Sequence, residues 1–451
     1  MSGPERREGS LDAPTRHSID WQSADYYDPG ALLHELERVF DICHGCRRCF
    51  NLCNAFPTLF DLVDATDTGE VAQVPHAAFA QVVDHCYLCD MCYMTKCPYV
   101  PPHPWNVDFP HLMLRAKAQR FRTGGVKSSA RVLANPDAMG RLAGIPVVVE
   151  MMNAMNRSPT GRKLLDKVLD VHPEAYVPAY HRDDLRKRLE RRQPAALAAE
   201  ATDTTRGRVA LFGTCYGRRN EPELGEDLVA VFEHNGIPVQ LAPQERCCGM
   251  PKLELGDLEG IRALKDENIP ELVRLVDAGF DLVAPIPSCV LMFKQELPLL
   301  FSDDVDVRRV ANAMFDPFQY LMLRHRAGKL RTDFSRPLGK VAYHVACHLR
   351  VQNIGQKTRE LLELIPDTKV ESIERCAGHN GTYGVRREFH DIAMRIGRPV
   401  MQRIDQSECD YYASDCPLAG HHLGQGLSNR RPPTHPLRLV RMAYGLEGPA
   451  A

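Results

Sequence analysis

The chain has 451 residues, enough for about three domains, with 44% hydrophobic and 25% charged residues, ordinary for a soluble globular protein. A formal net charge of −2 gives no electrostatic case for a nucleic-acid partner, and no apolar run is long enough to predict a spanning helix. Sixteen cysteines are many for this length, and the polar start MSGPERREGSLDAP lacks the apolar stretch of a secretory signal. Clustered cysteines then read as metal ligands in a reducing compartment rather than as a disulfide framework.

Residues 1–30 are polar and predict a mobile tail. Residues 31–40, ALLHELERVF, have helical periodicity and lead into ICHGCRRCFNLCN, which holds Cys43, Cys46, Cys49 and Cys53. A polar segment, DLVDATDTGEVAQVP, and a short helical stretch, AAFAQVVDHC, lead to HCYLCDMCYMTKCP, which holds Cys86, Cys89, Cys92 and Cys97. Each run is predicted to begin where a helix delivers the chain into a compact loop. The prolines of YVPPHPWNVDFP forbid regular helix. Residues 111–122, HLMLRAKAQRFR, read as a basic amphipathic helix near the end of a domain over 31–124.

Read as C-x2-C-x2-C-x3-C and C-x2-C-x2-C-x4-C-P, the two runs resemble the halves of a bacterial-type dicluster ferredoxin, in a helix-flanked form. The resemblance implies two [4Fe–4S] clusters and electron transfer. In such modules the fourth cysteine of one run ligates the other cluster. That assigns Cys43, Cys46, Cys49 and Cys97 to a first cluster, and Cys86, Cys89, Cys92 and Cys53 to a second. A pair of zinc knuckles would need only CxxC pairs and leaves two cysteines of each run unexplained.

Residues 125–206 are predicted as a helical connector and linker. Its most apolar part, LAGIPVVVEMMNAM, is too short to cross a bilayer and reads as a buried or interfacial helix. YHRDDLRKRLERRQ reads as a solvated helix face, with anionic lipid or a partner as the sharper alternative. From residue 207 the pattern alternates between strands and helices. RVALFGT, PVQLAPQ and DLVAPIP are strand candidates in a first lobe, 207–330; KVAYHVA and DYYASD are candidates in a second, 338–446. The fold class is therefore α/β multidomain: a helical N-terminal ferredoxin-type module, then two duplicated α/β lobes.

The cysteines of the lobes repeat. Cys215 corresponds to Cys347, Cys247–Cys248–Gly249 to Cys376–Ala377–Gly378, and Cys289 to Cys416, at offsets of 132, 129 and 127 residues. Each lies where a strand should end, the position at which α/β folds place ligands. The cysteines are expected to converge at facing ends of the two lobes.

This C…CCG…C repeat resembles the cysteine-rich CCG domain of heterodisulfide reductase-related iron–sulfur oxidoreductases. With a dicluster module first, the order is most similar to the C-subunit family of anaerobic glycerol-3-phosphate dehydrogenases. The segments ERCCGMPKLELGD, YHVACHLRVQNIGQKTRE, ERCAGHNGTYGV and SDCPLAGHH carry the resemblance, which covers residues 36 to about 425. It implies an electron-transfer component that takes electrons from a partner dehydrogenase or other redox protein and passes them toward membrane quinone. It also implies a cytoplasmic protein, peripheral on the inner face of the cytoplasmic membrane. The alternative is a catalytic reductase of a disulfide or peroxide-stress pathway, fed by the ferredoxin module.

Cys215, Cys247, Cys248 and Cys289 offer four soft thiolates, suited to an iron–sulfur cluster or zinc. Heterodisulfide reductase-type domains can use a fifth cysteine; Met292 stands there, which favours an ordinary four-cysteine site. A vicinal disulfide at Cys247–Cys248 is a minor alternative. The second lobe offers only Cys347, Cys376 and Cys416, with Ala377 in place of the middle cysteine. Two readings stand: an open iron position for water, substrate, His348 or His379, or a degenerate lobe kept for shape. Gly378, Gly381 and Gly384 suggest a tight turn or a close backbone approach, and Cys409, without a repeat partner, reads as a buried thiol. No Rossmann or P-loop fingerprint supports nicotinamide, flavin or nucleotide binding.

Overall fold

A computed structural model describes residues 9–10, 12–142, 145–193, 195–243 and 245–446. The chain divides into two compact units, residues 1–126 with 253–258, and residues 127–252 with 259–451.

The first unit is built on helices α1 (Pro29–Cys46), α2 (Ala55–Asp64), α3 (Phe79–Asp84), α4 (Met91–Thr95) and α5 (Phe109–Arg122). The Asp28 carboxylate caps α1 by accepting from the Ala31 N–H at 2.6 Å, with Pro29 in the first turn. The helix outruns its apolar stripe and carries Cys43 and Cys46 on its last turns, ending at Arg47 in the left-handed region (φ 51°). The first cysteine run thus starts inside a helix, not after one. Helix α2 is not among the elements expected from sequence, yet Ala55, Phe56, Leu59, Phe60 and Val63 form one buried stripe. Phe56 packs on Phe109 at 4.7 Å between centroids, and Phe40 meets Phe79 edge-on at 5.0 Å. Each ring buried here is worth roughly 1.5–3 kcal/mol. Helix α5 is less amphipathic than expected: even Lys117 is buried, its ammonium donating to the Cys86 carbonyl.

The described part of the N-terminal segment is not a loose tail. Trp21 is 1% exposed, and the Thr15 carbonyl accepts from the Tyr93 hydroxyl. Arg16 donates to both Asp90 oxygens (2.6 and 2.9 Å) and to Asp108 Oδ2 (3.1 Å), and stacks 4.3 Å over Tyr93. Burial opposes a charge on Asp108, but His111 and Arg16 outweigh it and hold the carboxyl well below its usual range. Arg16→Met leaves the buried Asp90 and the half-buried Asp108 without this guanidinium. It is expected to cost about 3 kcal/mol, read as faster proteolysis before residue 29. Asp108 has a depressed folded pKa, so its stabilisation is complete above about pH 4 and lost as pH falls further. Acid unfolding of the wild type should steepen below that point, and in the variant, which keeps only His111 beside Asp108, this component should shrink.

The second unit begins with the connector, helices α6 (Ser128–Leu133), α7 (Pro136–Leu142), α8 (Pro146–Arg157), α9 (Pro159–Leu169) and α10 (Leu185–Glu190). Buried Arg162 ties its loops by donating to the carbonyls of Pro173 and His172, both at 2.8 Å. Ala143 and Gly144 of the apolar stretch lie outside the described residues. The rest is only partly buried: Val149 packs inward, whereas Val147 and Met151 are 76% and 61% exposed.

The first sheet has the order β2-β1-β3-β4, with β1 (Val209–Leu211), β2 (Val239–Leu241), β3 (Asp281–Val283) and β4 (Met314–Phe315) all parallel. The second has β6-β5-β7, with β5 (Gly339–His344), β6 (Thr368–Ile373) and β7 (Tyr411–Ser414), again parallel. The first strand of each lobe is flanked by the second and third in both, so the repeated cysteines reflect a repeated topology. Neither β4 nor β6 is among the strands expected from sequence. The first is two residues long, and the second is half-exposed and interrupted by charge, without the apolar run of a central strand. The lobes meet where their cysteine turns meet: Ser288 Oγ, beside Cys289, lies 2.7 Å from Nδ1 of His348, beside Cys347.

Candidate metal centres

The first cysteine run and Cys97 close around one space. Cys43, Cys46, Cys49 and Cys97 line a small cavity whose other walls include Phe56, Tyr99 and Val107, all buried. Burial, reinforced by Cys49, Cys97 and Cys46, pushes the Cys43 thiol well above its usual pKa; burial, Cys97 and Cys46 push Cys49 up to about 12. Four negative charges there need a cation, and soft thiolates suit iron. Cys92, on α4, is pushed up by burial and then by Cys49, Cys89, Cys86 and Cys53. Cys43 thus neighbours Cys97 of the other run, and Cys92 neighbours both Cys49 and Cys53. Among the described residues, no three His, Cys, Asp or Glu side chains are placed to hold a single metal ion; the first four thiols ring a volume instead.

In the first lobe β1 delivers Cys215 to the start of α11 (Cys215–Arg219), whose cap is Thr214, accepting from the Gly217 N–H at 2.9 Å. The turn after β3 delivers Cys289 on the short helix Pro287–Leu291. Between them lie Cys247 and Cys248, both buried, followed by Gly249 at φ 104°. The four thiols are close neighbours: Cys247 lies beside Cys215 and Cys248, and Cys248 lies beside Cys289. Cys247 is drawn well below its ordinary pKa by its two thiol neighbours, while Cys215 and Cys248 are raised. Asp137 Oδ2 accepts from the Cys247 N–H at 2.9 Å, a contact that no sequence spacing announces. Met292 is fully buried, its methyl 3.4 Å from where a Cβ on Gly249 would stand. An apolar thioether thus packs beside the turn.

The second lobe repeats the placement with different chemistry. Cys347 starts the helix Cys347–Arg350 after β5, and Cys416 precedes the helix Pro417–Gln425 after β7. The Cys376 sulfur accepts from the Gly378 N–H at 3.3 Å and from Asn380 Nδ2 at 3.7 Å. Burial pushes Cys416 up to about 11. Gly378, at φ 81°, lies so close to the helix His390–Gln406 that a Cβ would fall 2.1 Å from the Ala393 carbonyl oxygen. The glycine therefore serves a backbone-to-backbone approach.

Burial drives His379 down to about 3 and His422 down to about 4. Their rings lie 5.7 Å apart, and both Nε2 atoms are buried without a hydrogen-bond partner among the described residues. His422 is not among the residues singled out from sequence, although its place six residues after Cys416 is an available signal. Asp415, beside Cys416, is a second such residue; it accepts from Thr358 Oγ1 at 2.8 Å and from the Tyr343 hydroxyl, and burial raises it to about 7. Cys409 is buried, as expected, but its sulfur takes a 2.7 Å contact from Arg431 Nη2.

Parallel sheets of matching order, each presenting cysteines at its strand ends, define a protein with a duplicated cysteine-rich domain. The CCG cysteine-rich domain model matches residues 209–294 and 341–424, so the chain carries two copies of it. The chain is homologous to the C-subunit of anaerobic glycerol-3-phosphate dehydrogenase from Escherichia coli, with 28% identity over 75% of this chain and 83% of the relative. Lactate utilization protein A of Oceanobacillus iheyensis is 25% identical over 45% of this chain and 83% of its own length. The B-subunit of fumarate reductase (CoM/CoB) from Methanothermobacter marburgensis is 24% identical over 49% of this chain and 42% of its own length. The chain is thus similar to components of dehydrogenases and reductases, and it carries a duplicated cysteine-rich domain. No helix among the described residues is long and apolar enough to cross a membrane.

Proposed function

We propose that the N-terminal unit is a dicluster ferredoxin-type module holding two [4Fe–4S] clusters, one on Cys43, Cys46, Cys49 and Cys97 and one on Cys86, Cys89, Cys92 and Cys53. The observation that carries this reading is the cavity ringed by Cys43, Cys46, Cys49 and Cys97, one of which comes from the second run. Cys215, Cys247, Cys248 and Cys289 hold a further four-cysteine site, while Cys347, Cys376 and Cys416 hold at most an incomplete one. Bound iron–sulfur clusters supply one-electron redox chemistry. The chain's own part is to hold the thiolates, keep water out with Phe56, Tyr99 and Val107, and set local charge. Electrons enter from a partner dehydrogenase and leave toward membrane quinone. The exposed Val147 and Met151 on α8 support a peripheral seat at the cytoplasmic face of the membrane. A catalytic reductase built on the second lobe is the alternative, favoured by the two orphaned buried nitrogens of His379 and His422.

The test is low-temperature EPR during a redox titration of anaerobically purified protein. Two interacting cubane signals, plus a third that disappears in Cys289→Ser, are expected. A spectrum unchanged by that substitution removes the first lobe from the electron route.

A further inference from the structure

Next to the thiols of the first lobe is a cavity of about 310 Å³ with Cys215 in its wall. Five arginines line it: Arg141 from α7, Arg186 from α10, Arg218 and Arg219 from α11, and Arg246 beside the cysteine pair. Three carboxylates, Asp137, Glu245 and Glu267, share the lining. Guanidinium charge therefore exceeds carboxylate charge even with every acid ionised.

The carboxylates are committed to the protein. Asp137 accepts from the Cys247 N–H, Glu245 Oε2 from the Gly213 N–H at 2.7 Å, and Glu267 from Arg246 Nε at 2.6 Å. The guanidiniums are only partly used. Arg218 gives its Nε to Asp184 at 2.9 Å, Arg186 gives Nη2 to the Ala242 carbonyl at 2.8 Å, and Arg219 gives Nη1 to the Gly140 carbonyl. Each guanidinium carries five donors in a planar fork matched to carboxylate and phosphate oxygens. In the same lining, Glu245 Oε1 is buried with no hydrogen-bond partner among the described residues.

We propose that this cavity binds a small organic oxyanion, a carboxylate or a phosphate ester, held by the guanidiniums of Arg141, Arg186 and Arg246 against the wall that carries Cys215. The competing explanation is that these arginines only offset the charge of the neighbouring thiolates. The site rests on the arginines and does not require iron on Cys215, so its failure is separable from failure of the cluster assignment.

Titration calorimetry of the anaerobic, iron-loaded full chain tests it, with malate and inorganic phosphate as probes and glycerol as the uncharged control. Saturable binding of malate or phosphate, with none of glycerol, is expected. Arg141→Gln/Arg186→Gln should weaken it about tenfold with iron per chain unchanged. If the double variant loses iron, Arg141→Glu alone is the substitute, and the same weakening is expected. Absence of saturable binding overturns the proposal, as does equal binding by the variants. A lowered midpoint potential in the variants, without any anion binding by the wild type, does so as well and assigns the arginines to charge balance alone.

Discussion

Cys97→Ser is expected to strip iron from the group formed with Cys43, Cys46 and Cys49, although Cys97 belongs to the other sequence run. Iron should fall by about four atoms per chain, and one of the two cubane signals should vanish while the one dependent on Cys86, Cys89 and Cys92 stays. Cys53→Ser should do the converse. The reason is spatial: Cys97 lines one cavity with Cys43, Cys46 and Cys49, and Cys53 is a neighbour of Cys92. Metal binding to such a group is also folding free energy. The thermal transition of the N-terminal unit should therefore drop with the lost iron. If Cys97→Ser removed the signal of the Cys86 group instead, each run would hold its own cluster.

Gly378→Ala should have the largest effect on stability in the second lobe. The new methyl would lie 2.1 Å from the Ala393 carbonyl oxygen and 2.9 Å from its carbon, on a backbone at φ 81°. Both strain and collision must be relieved by moving the helix His390–Gln406, which buries Val400, Met401 and Ile404 in the lobe core. A loss of about 3 kcal/mol or more follows, a fall in Tm of roughly 6–10 °C. Iron bound by the Cys215 group should be unaffected. An unchanged Tm would mean that the turn relaxes freely and that the glycine is there for another reason.

What the sequence makes legible is local. The spacing of the eight N-terminal cysteines carries its own geometry, because a C-x2-C turn fixes where its sulfurs can go. The lobes are legible because strand ends and cysteines repeat together. The reach of α1 through Cys46 is hidden by a cysteine pattern that looks like a loop. The pinned N-terminal segment is hidden because one arginine, Arg16, does the pinning from 74 and 92 residues away. The arginine cavity draws on residues from 141 to 246 that share no motif, and the Asp137–Cys247 contact spans 110 residues. Such convergence is a property of packing, which no local period reports.

The neighbouring thiols of the first lobe also bear on how the protein must be made. Cys215 and Cys247 are close neighbours, as are Cys248 and Cys289. A chain that folds before it meets iron presents these pairs to any oxidant. A disulfide formed there would close the site before it could be filled. For the cluster proposed there, iron delivery must outrun oxygen, so the order of assembly bears on how much of the site is filled.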